Sequence, residues 1–358
     1  MTRLRVAVVM PPATDLVPAA ALEQWPTFTR SLEALDATDE VEPIGCCRTN
    51  GVAETVKRKG IEYFFESTDA KLARRVADLR PAVVHLHGLG FTRLLMRIRR
   101  AVGRSVPILM QHHGEPVPMS LRTRLAQRMT RRLVDGYLYT GAVRQAEPFR
   151  RIGVIGPSAP VYEALESASH LVDVVPTAPP NLSGSPRVLW VGRLIPSKDP
   201  LCAVRAIAAG RERGSEAHLH MLATDRSLEP EVRKLVDSLG LGEVVRLHPP
   251  VEHHQMADWY ASADVYLSTS HREGSNYSLI EALGFGCFPV VTDIPSHEAI
   301  VQELARRFSR GDADAAGELI AASRTKSRET IADYAQRCVS WTTVADQLVE
   351  IYRTSLKS

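Results

Sequence analysis

A chain of 358 residues is too long for one ordinary domain and suits two. At 44% hydrophobic and 24% charged it has the balance of a globular protein with full-sized cores, which excludes a disordered or fibrous chain. Its net charge of +3 is unevenly divided: residues 1–180 hold 24 Lys/Arg against 18 Asp/Glu and the remainder 20 against 23, so the halves are +6 and −3 and the first invites an anionic partner.

The chain opens on "LRVAVVM", which reads as a strand and not as the apolar region of a signal peptide. Further strands are expected at "VEPIGCC", "IEYFF", "AVVHLH", "PILMQHH" and "GYLYT", with helices around 21–36, 69–79, 91–102 and 119–134. Cys46 and Cys47, two of five scattered cysteines, fit a plain buried strand better than a disulfide or metal device, and a reducing cytoplasm is the expected location. No apolar run reaches the roughly 18 residues that cross a bilayer. The proline- and serine-rich "VVPTAPPNLSGSPR" reads as a linker with a hinge near 176–186. Beyond it the same rhythm resumes with "RVLWVG", "AHLHML", "VVRLH", "VYLSTS" and "PVVTDI". Short strands separated by helices mean parallel sheets of βαβ units. The expected fold class is therefore α/β, two Rossmann-like domains facing each other across a cleft. The expected boundaries are 1–178 for the first domain, 179–186 for the linker, 187–340 for the second domain, and 341–358 for a final helix packing back on the first.

Ligands of such domains sit beyond the carboxyl ends of the strands. There "VGRLIPSKDP" places Arg193 and Lys198 around a proline turn, and two cations at a strand end suit a phosphate group better than solvent, although a loop with two solvated charges is the plain alternative. After "VYLSTS", the loop "HREGSN" enters a helix near Tyr277, whose first turn offers an anion site, with Ser275 and Ser278 adding hydroxyls. Glu273 stays on the loop while Glu281 falls one turn inside the helix. That placement favours two separate polar hooks over a hydrolytic carboxylate pair, which would flank one bond about 5 to 9.5 Å apart.

"VGRL…K" followed by "EGSNYSLIEALGFGCFPVVTDIP" resembles glycosyltransferase family 4, retaining enzymes of the GT-B fold. The Glu273–Glu281 spacing, Gly286 and the "PVV" strand carry the resemblance, strongest over 187–298. The resemblance implies that Arg193 and Lys198 grip the diphosphate of a nucleotide-sugar. It implies that Glu273 and the amides of Ser275, Asn276 and Tyr277 hold the donor sugar, and that Glu281 holds the ribose. A histidine before glycine at a strand end often touches the reacting sugars in that family, which points to His113 before Gly114. The chain departs from the family pattern in "PPATDLVPAA", which has no glycine-rich loop, in "ATDRS", and over 153–175, which lacks the usual Asn-Gly turn.

Other signals are weaker. His85, His87, His112 and His113 cluster near one sheet edge, but no carboxylate or cysteine completes a metal set. "GLGFTR" lacks the third glycine of a dinucleotide loop, and Asp312-Ala-Asp314 reads as a helix cap. Arg93, Arg97, Arg100 and Arg104 lie at i, i+4, i+7 and i+11, opposite Phe91, Leu94, Leu95 and Ile98. Five more arginines follow between 122 and 132, and Glu115 is the only acid between 93 and 134. That one-sided charge is either a solvated face or a patch for anionic lipid. The expected function is a cytoplasmic, hexosyltransferase-like retaining glycosyltransferase, peripheral at the inner membrane face. It would use a nucleotide-diphosphate sugar and an acceptor hydroxyl, with no metal, no other cofactor and no nucleic acid. A nucleotide-sugar epimerase of similar fold and a non-catalytic nucleotide-sugar binder are the alternatives.

Overall fold

Strands that are apolar on both faces need cover on both faces, and the alternation of strand and helix supplies it. In a computed structural model that describes residues 3–12, 18–24, 26–168, 174–323 and 327–357, the chain forms two units, Met1–Ser167 with Trp341–Ser358, and Ala168–Ser340. The first runs β1 (Leu4–Val9), α1 (Pro18–Gln24), α2 (Pro26–Asp36), β2 (Val41–Arg48), β3 (Glu54–Arg58), β4 (Ile61–Glu66), α3 (Asp69–Asp78), β5 (Val83–His87), α4 (Thr92–Val102), β6 (Ile108–Gln111), α5 (Leu121–Thr130), β7 (Gly136–Tyr139), α6 (Ala142–Arg151) and β8 (Val161–Glu163). The second runs β9 (Arg187–Gly192), α7 (Pro200–Glu212), β10 (His218–Ala223), α8 (Glu229–Ser238), β11 (Val245–His248), α9 (Met256–Ser262), β12 (Val265–Ser268), α10 (Tyr277–Gly284), β13 (Phe288–Thr292), α11 (Pro295–Val301), β14 (Arg307–Phe308), α12 (Ala313–Ala321) and α13 (Arg328–Cys338). The final helix, α14 (Trp341–Ser355), groups with the first unit.

The second sheet has the order β11-β10-β9-β12-β13-β14, all parallel, which is the doubly wound Rossmann arrangement. The first has the order β3-β4-β2-β1-β5-β6-β7-β8 and is parallel except for the β3–β4 hairpin. Both expected Rossmann-like domains are therefore present. Strand order reverses between β1 and β5 in the first sheet and between β9 and β12 in the second. Each unit has its own core: Ala7, Val9, Leu86, Ile98 and Met110 in the first, and Val188, Met221, Leu267 and Val290 in the second.

Departures from the expected elements have local causes. The stretch 21–36 holds two helices and not one, and Val161–Glu163 adds a strand the pattern did not announce. The mostly polar β3 is an edge strand with little buried surface. Residues 13–17 of the glycine-poor loop after β1, and 169–173 of the segment before the linker, lie outside the described residues. The division between units falls at Ser167, not at 178, because the linker is fastened to the second unit: the amides of Thr177 and Ala178 donate to Asp258 Oδ1 at 2.7 and 3.2 Å. Helix α14 buries Val344, Leu348, Val349 and Tyr352 and packs on α2, and Arg353 pairs with Glu40.

Helix α10 ends at Gly284 with Phe285 as its cap, and at Gly286 just beyond it the backbone takes φ 76° and an added Cβ would stand 2.5 Å from the Arg328 carbonyl oxygen. Both the left-handed backbone and the close approach require glycine. Gly286→Ala is expected to destabilise the fold by more than about 1 kcal/mol. Chemical denaturation checks this, and an unchanged midpoint would contradict it.

Candidate active site

At the reversal point between β9 and β12 the two strands diverge, and the loops leaving their carboxyl ends must fill the opening. They are laced together. Thr269 Oγ1 donates toward the carbonyls of Lys198 and Asp199, at 2.8 Å each, and the His271 amide donates to Ser197 O at 2.9 Å. His271 Nε2 pairs with Asp199 Oδ2 at 2.9 Å. Asp199 holds a left-handed conformation, φ 46°, so that its side chain caps α7 by accepting from the Cys202 amide. Across this lacing Lys198 Nζ meets Glu273 Oε1 at 2.5 Å, and Ser270 Oγ donates to the same oxygen at 2.6 Å. Two residues 75 apart in sequence thus share one half-buried position at the crevice.

Asn276 caps α10 with φ 47°, its Oδ1 accepting from the Leu279 amide at 3.3 Å. Its Nδ2 donates to His297 Nε2 at 2.8 Å and Ser268 Oγ at 3.2 Å, and Tyr266 OH donates to its Oδ1 at 3.3 Å. His297 is fully buried, and burial pushes its pKa down to about 4, so it stays neutral and offers Nε2 as an acceptor. The Asn276 side chain is therefore scaffold, fixing the turn at which the helix begins. Ser275 is buried there, and Tyr277 is 38% exposed.

Glu281 sits elsewhere, 4% exposed on the inner face of α10. His253 Nε2 donates to its Oε1 and Tyr260 OH to its Oε2, both at 2.9 Å. The bond to Glu281 raises the His253 pKa against the opposing effect of burial. The two glutamates thus have separate partners: Glu273 a cation at the crevice, Glu281 an imidazole and a phenol beneath the helix. Arg193 stands exposed at the end of β9. Asp225, whose pKa is lowered first by hydrogen bonds from Ser227, also feels the Arg193 charge.

The first unit carries the clustered histidines His85, His87, His112 and His113. His113 Nδ1 donates to Glu166 Oε1 at 2.9 Å, and one N–H is shared between His113 Nε2 and His87 Nδ1 at 2.8 Å. Burial opposes charge on His113, but the Glu166 carboxylate outweighs it and the pKa is raised. Burial, then the charges of His85 and His113, hold His87 well below its ordinary value. The proton therefore belongs to His113. His112 turns inward and stacks on Tyr139 with ring centroids 4.6 Å apart. His85 pairs through Nδ1 with Tyr352 OH at 2.8 Å, and burial lowers it to about 3. Among the described residues no group of three or more His, Cys, Asp or Glu is placed to hold a metal ion. Asp312 caps α12 through the Ala315 amide, and Cys46 is buried with its thiol pushed up to about 12.

A cavity of about 580 Å³ lies at the opposite, amino-terminal end of the second sheet, beside Arg187, Asp264 and Arg328. Its charges are already engaged: Arg187 is paired twice with Asp264, and Arg328 donates to the carbonyls of Ala263, Tyr260 and Phe285. The crevice above β9 and β12 is the better candidate.

Residues 185–350 match the family model described as "Glycosyl transferases group 1". Over these residues the chain is similar to the group 1 glycosyltransferases. A D-inositol 3-phosphate glycosyltransferase of Thermomonospora curvata is 27% identical over 180 residues, 46% of this chain and 42% of that protein. One of Pseudarthrobacter chlorophenolicus is 24% identical over 297 residues, 75% of this chain and 69% of that protein. The chain thus spans less than half the length of the first of these relatives. A glycosyltransferase structure from Rickettsia africae superimposes with TM-score 0.70 at 15% identity, covering 100% of both chains. The Anabaena protein HepE in complex with UDP and glucose does so with TM-score 0.64 at 12% identity, covering 98% of this chain and 100% of that one. These structures share the fold, and the family resemblance read from the motifs holds.

Within the second unit, the expected residues divide three ways: Lys198 with Glu273, Asn276 with the helix start, and Glu281 in its own pocket. His253, Tyr260, His297 and Glu166 were not anticipated. Only "VEHHQ" carried a signal, a histidine pair just after a strand end. Because the folded pKa of His253 is raised, its stabilising bond is fully present below about pH 6.5, its unfolded value, and is lost as pH rises through the folded value. The melting-temperature deficit of His253→Ala relative to wild type is therefore expected to be larger at pH 5.5 than at 8.5. A pH-independent deficit would remove the charged His253–Glu281 bond from the account.

Proposed function

We propose that the chain is a retaining glycosyltransferase that moves a sugar from a nucleotide-diphosphate donor to an acceptor hydroxyl. The observation that carries this reading is the Lys198–Glu273 pair, fixed between two strand ends at the reversal point of a group 1 glycosyltransferase domain. A carboxylate holds the lysine in place before any ligand arrives. An incoming diphosphate then shares Lys198 with Glu273 and gains Arg193 and the start of α10, where the helix dipole favours negative charge. Glu281, oriented by His253 and Tyr260, faces the ribose, while Glu273 and the turn at Ser275–Tyr277 face the sugar. The acceptor oxygen forms its bond to the anomeric carbon on the face from which the diphosphate departs. The bond from that carbon to the phosphate oxygen breaks, and the acceptor proton passes to the departing diphosphate. The residues supply charge stabilisation of the leaving group, and the reading calls for no bound metal.

His113, held by Glu166, is the first unit's candidate contact to the sugar or acceptor. That unit also exposes Arg93, Arg97, Arg100 and Arg104, whereas Arg99 turns inward to Asp135 and to the carbonyls of Leu133, Gly103 and Val106. An exposed row of arginines without interleaved acids supports a cytoplasmic protein that meets an anionic membrane, where a lipid-linked acceptor is presented. No helix among the described residues is long and apolar enough to cross a membrane.

Thermal stabilisation by UDP-, GDP-, ADP- and TDP-sugars identifies the donor, since a ligand of the folded state raises the melting temperature. Donor turnover without any acceptor would replace transfer by epimerisation. Arg193→Ala and Lys198→Ala are each expected to lower turnover at least about tenfold with the fold retained. Wild-type rates in both would place the diphosphate elsewhere.

Glu273→Gln removes the charge that competes with the diphosphate for Lys198. It is expected to bind free nucleoside diphosphate at least as tightly as wild type by calorimetry, while sugar transfer falls about tenfold or more. Weaker diphosphate binding in this variant would contradict the assignment.

A further inference from the structure

Helix α5 is turned inside out. Its buried side presents Gln127, whose Nε2 donates to Leu89 O at 3.1 Å, and Thr130, which donates to Ala126 O at 3.0 Å. Its apolar residues face outward: Leu121, Leu125 and Met129, spaced four apart, are 80%, 60% and 73% exposed, and Met119 just before them is 89% exposed. Single exposed apolar side chains need no explanation, but a contiguous row on one helix does. Arginines border the row. Arg122 and Arg128 are exposed on α5 itself, and Arg93, Arg97 and Arg100 are exposed on α4, which packs beside it. Of the nearby acids, Glu115 is turned to the amides of Leu89 and His113, accepting at 2.8 and 2.7 Å, and Asp135 is engaged by Arg99 and the Ile108 amide.

An apolar row with a cationic border matches a surface that is oily beneath and anionic on top. We infer that α5 lies in the headgroup layer of an anionic bilayer, with Met119, Leu121, Leu125 and Met129 among the acyl chains and the flanking arginines at lipid phosphates. This rests on the membrane reading above and goes beyond it, because the α4 arginines would only attract, whereas the α5 row inserts. It also bears on the acceptor. The chain passes from His113 to Met119 in six residues, so the element that enters the membrane is joined by a short loop to the candidate sugar-contacting histidine.

The test is co-sedimentation of the full chain with vesicles of phosphatidylcholine alone or mixed with phosphatidylglycerol, at about 0.1 M and about 1 M salt. Two variants are compared with wild type: Leu121→Ser/Leu125→Ser/Met129→Ser, and Arg93→Gln/Arg97→Gln/Arg100→Gln. Retained melting temperature and nucleoside diphosphate binding show that each is folded. Wild type is expected to bind the mixed vesicles and not the neutral ones, keeping a measurable bound fraction at high salt. The serine variant is expected to bind at least about tenfold more weakly at unchanged charge. Equal binding by wild type and the serine variant would overturn insertion while leaving attraction by α4 intact. No binding of wild type at low salt would overturn both. A wild-type dimer that becomes monomeric in the serine variant, with no vesicle binding, would assign the row to a second copy of the chain and overturn the proposal.

Discussion

The second unit depends on one constraint: β9 and β12 are paired in parallel at their amino ends, through Val188 with Val265 and Leu189 with Tyr266, and part toward their carboxyl ends. Strand order reverses here, so the helices that follow leave on opposite sides and the crevice between them has to be closed by loops. Nearly every polar residue of the candidate site serves that closure. Thr269 ties the β12 loop to the turn before α7, Thr292 Oγ1 donates to Ser270 O at 2.6 Å, and Asn276 joins the start of α10 to His297. The Lys198–Glu273 pair completes the lacing. Its position is thus fixed by backbone bonds on both sides and does not depend on the flexibility of a lysine side chain.

The two-sheet architecture was legible because strands buried on both faces appear as short β-branched runs with helices between, and a proline- and serine-rich linker divides them into two sets. The edge strands were not. Glu54–Arg58 alternates little and buries little, and Arg307–Phe308 is too short to show a period. Arg193, Lys198, Glu273 and Glu281 were legible as residues at strand and helix ends. Their grouping was not: the ion pair spans 75 residues, and Glu281 is oriented by His253 and Tyr260, 28 and 21 residues before it. Helix α5 marks another limit of pattern reading. Leucines and arginines share one of its faces, and periodicity reveals that a face exists without saying which side turns inward.

Burial sorts the histidines into two kinds. His85, His87 and His297 lie in low-dielectric surroundings that favour the neutral ring, so they act as fixed donors and acceptors in cores. His113 and His253 each face a carboxylate, and the pairing raises their pKa in spite of burial. The two histidines with raised pKa lie at candidate substrate contacts, while the neutral ones hold the scaffold. Glu166 and Glu281 do comparable work in the two units, each raising the pKa of one imidazole.

The return of α14 to the first unit bears on how that unit can be produced alone. A fragment ending at Ser167 would have every strand of its sheet, yet it would leave the face of α2 that meets α14 uncovered and His85 without Tyr352. A self-sufficient first domain must therefore include residues 341–358, either joined by a new linker to Ser167 or supplied as a separate peptide. The amino- and carboxyl-terminal stretches of the chain belong to one folding unit, and the second domain is, in terms of connectivity, an insertion within the first.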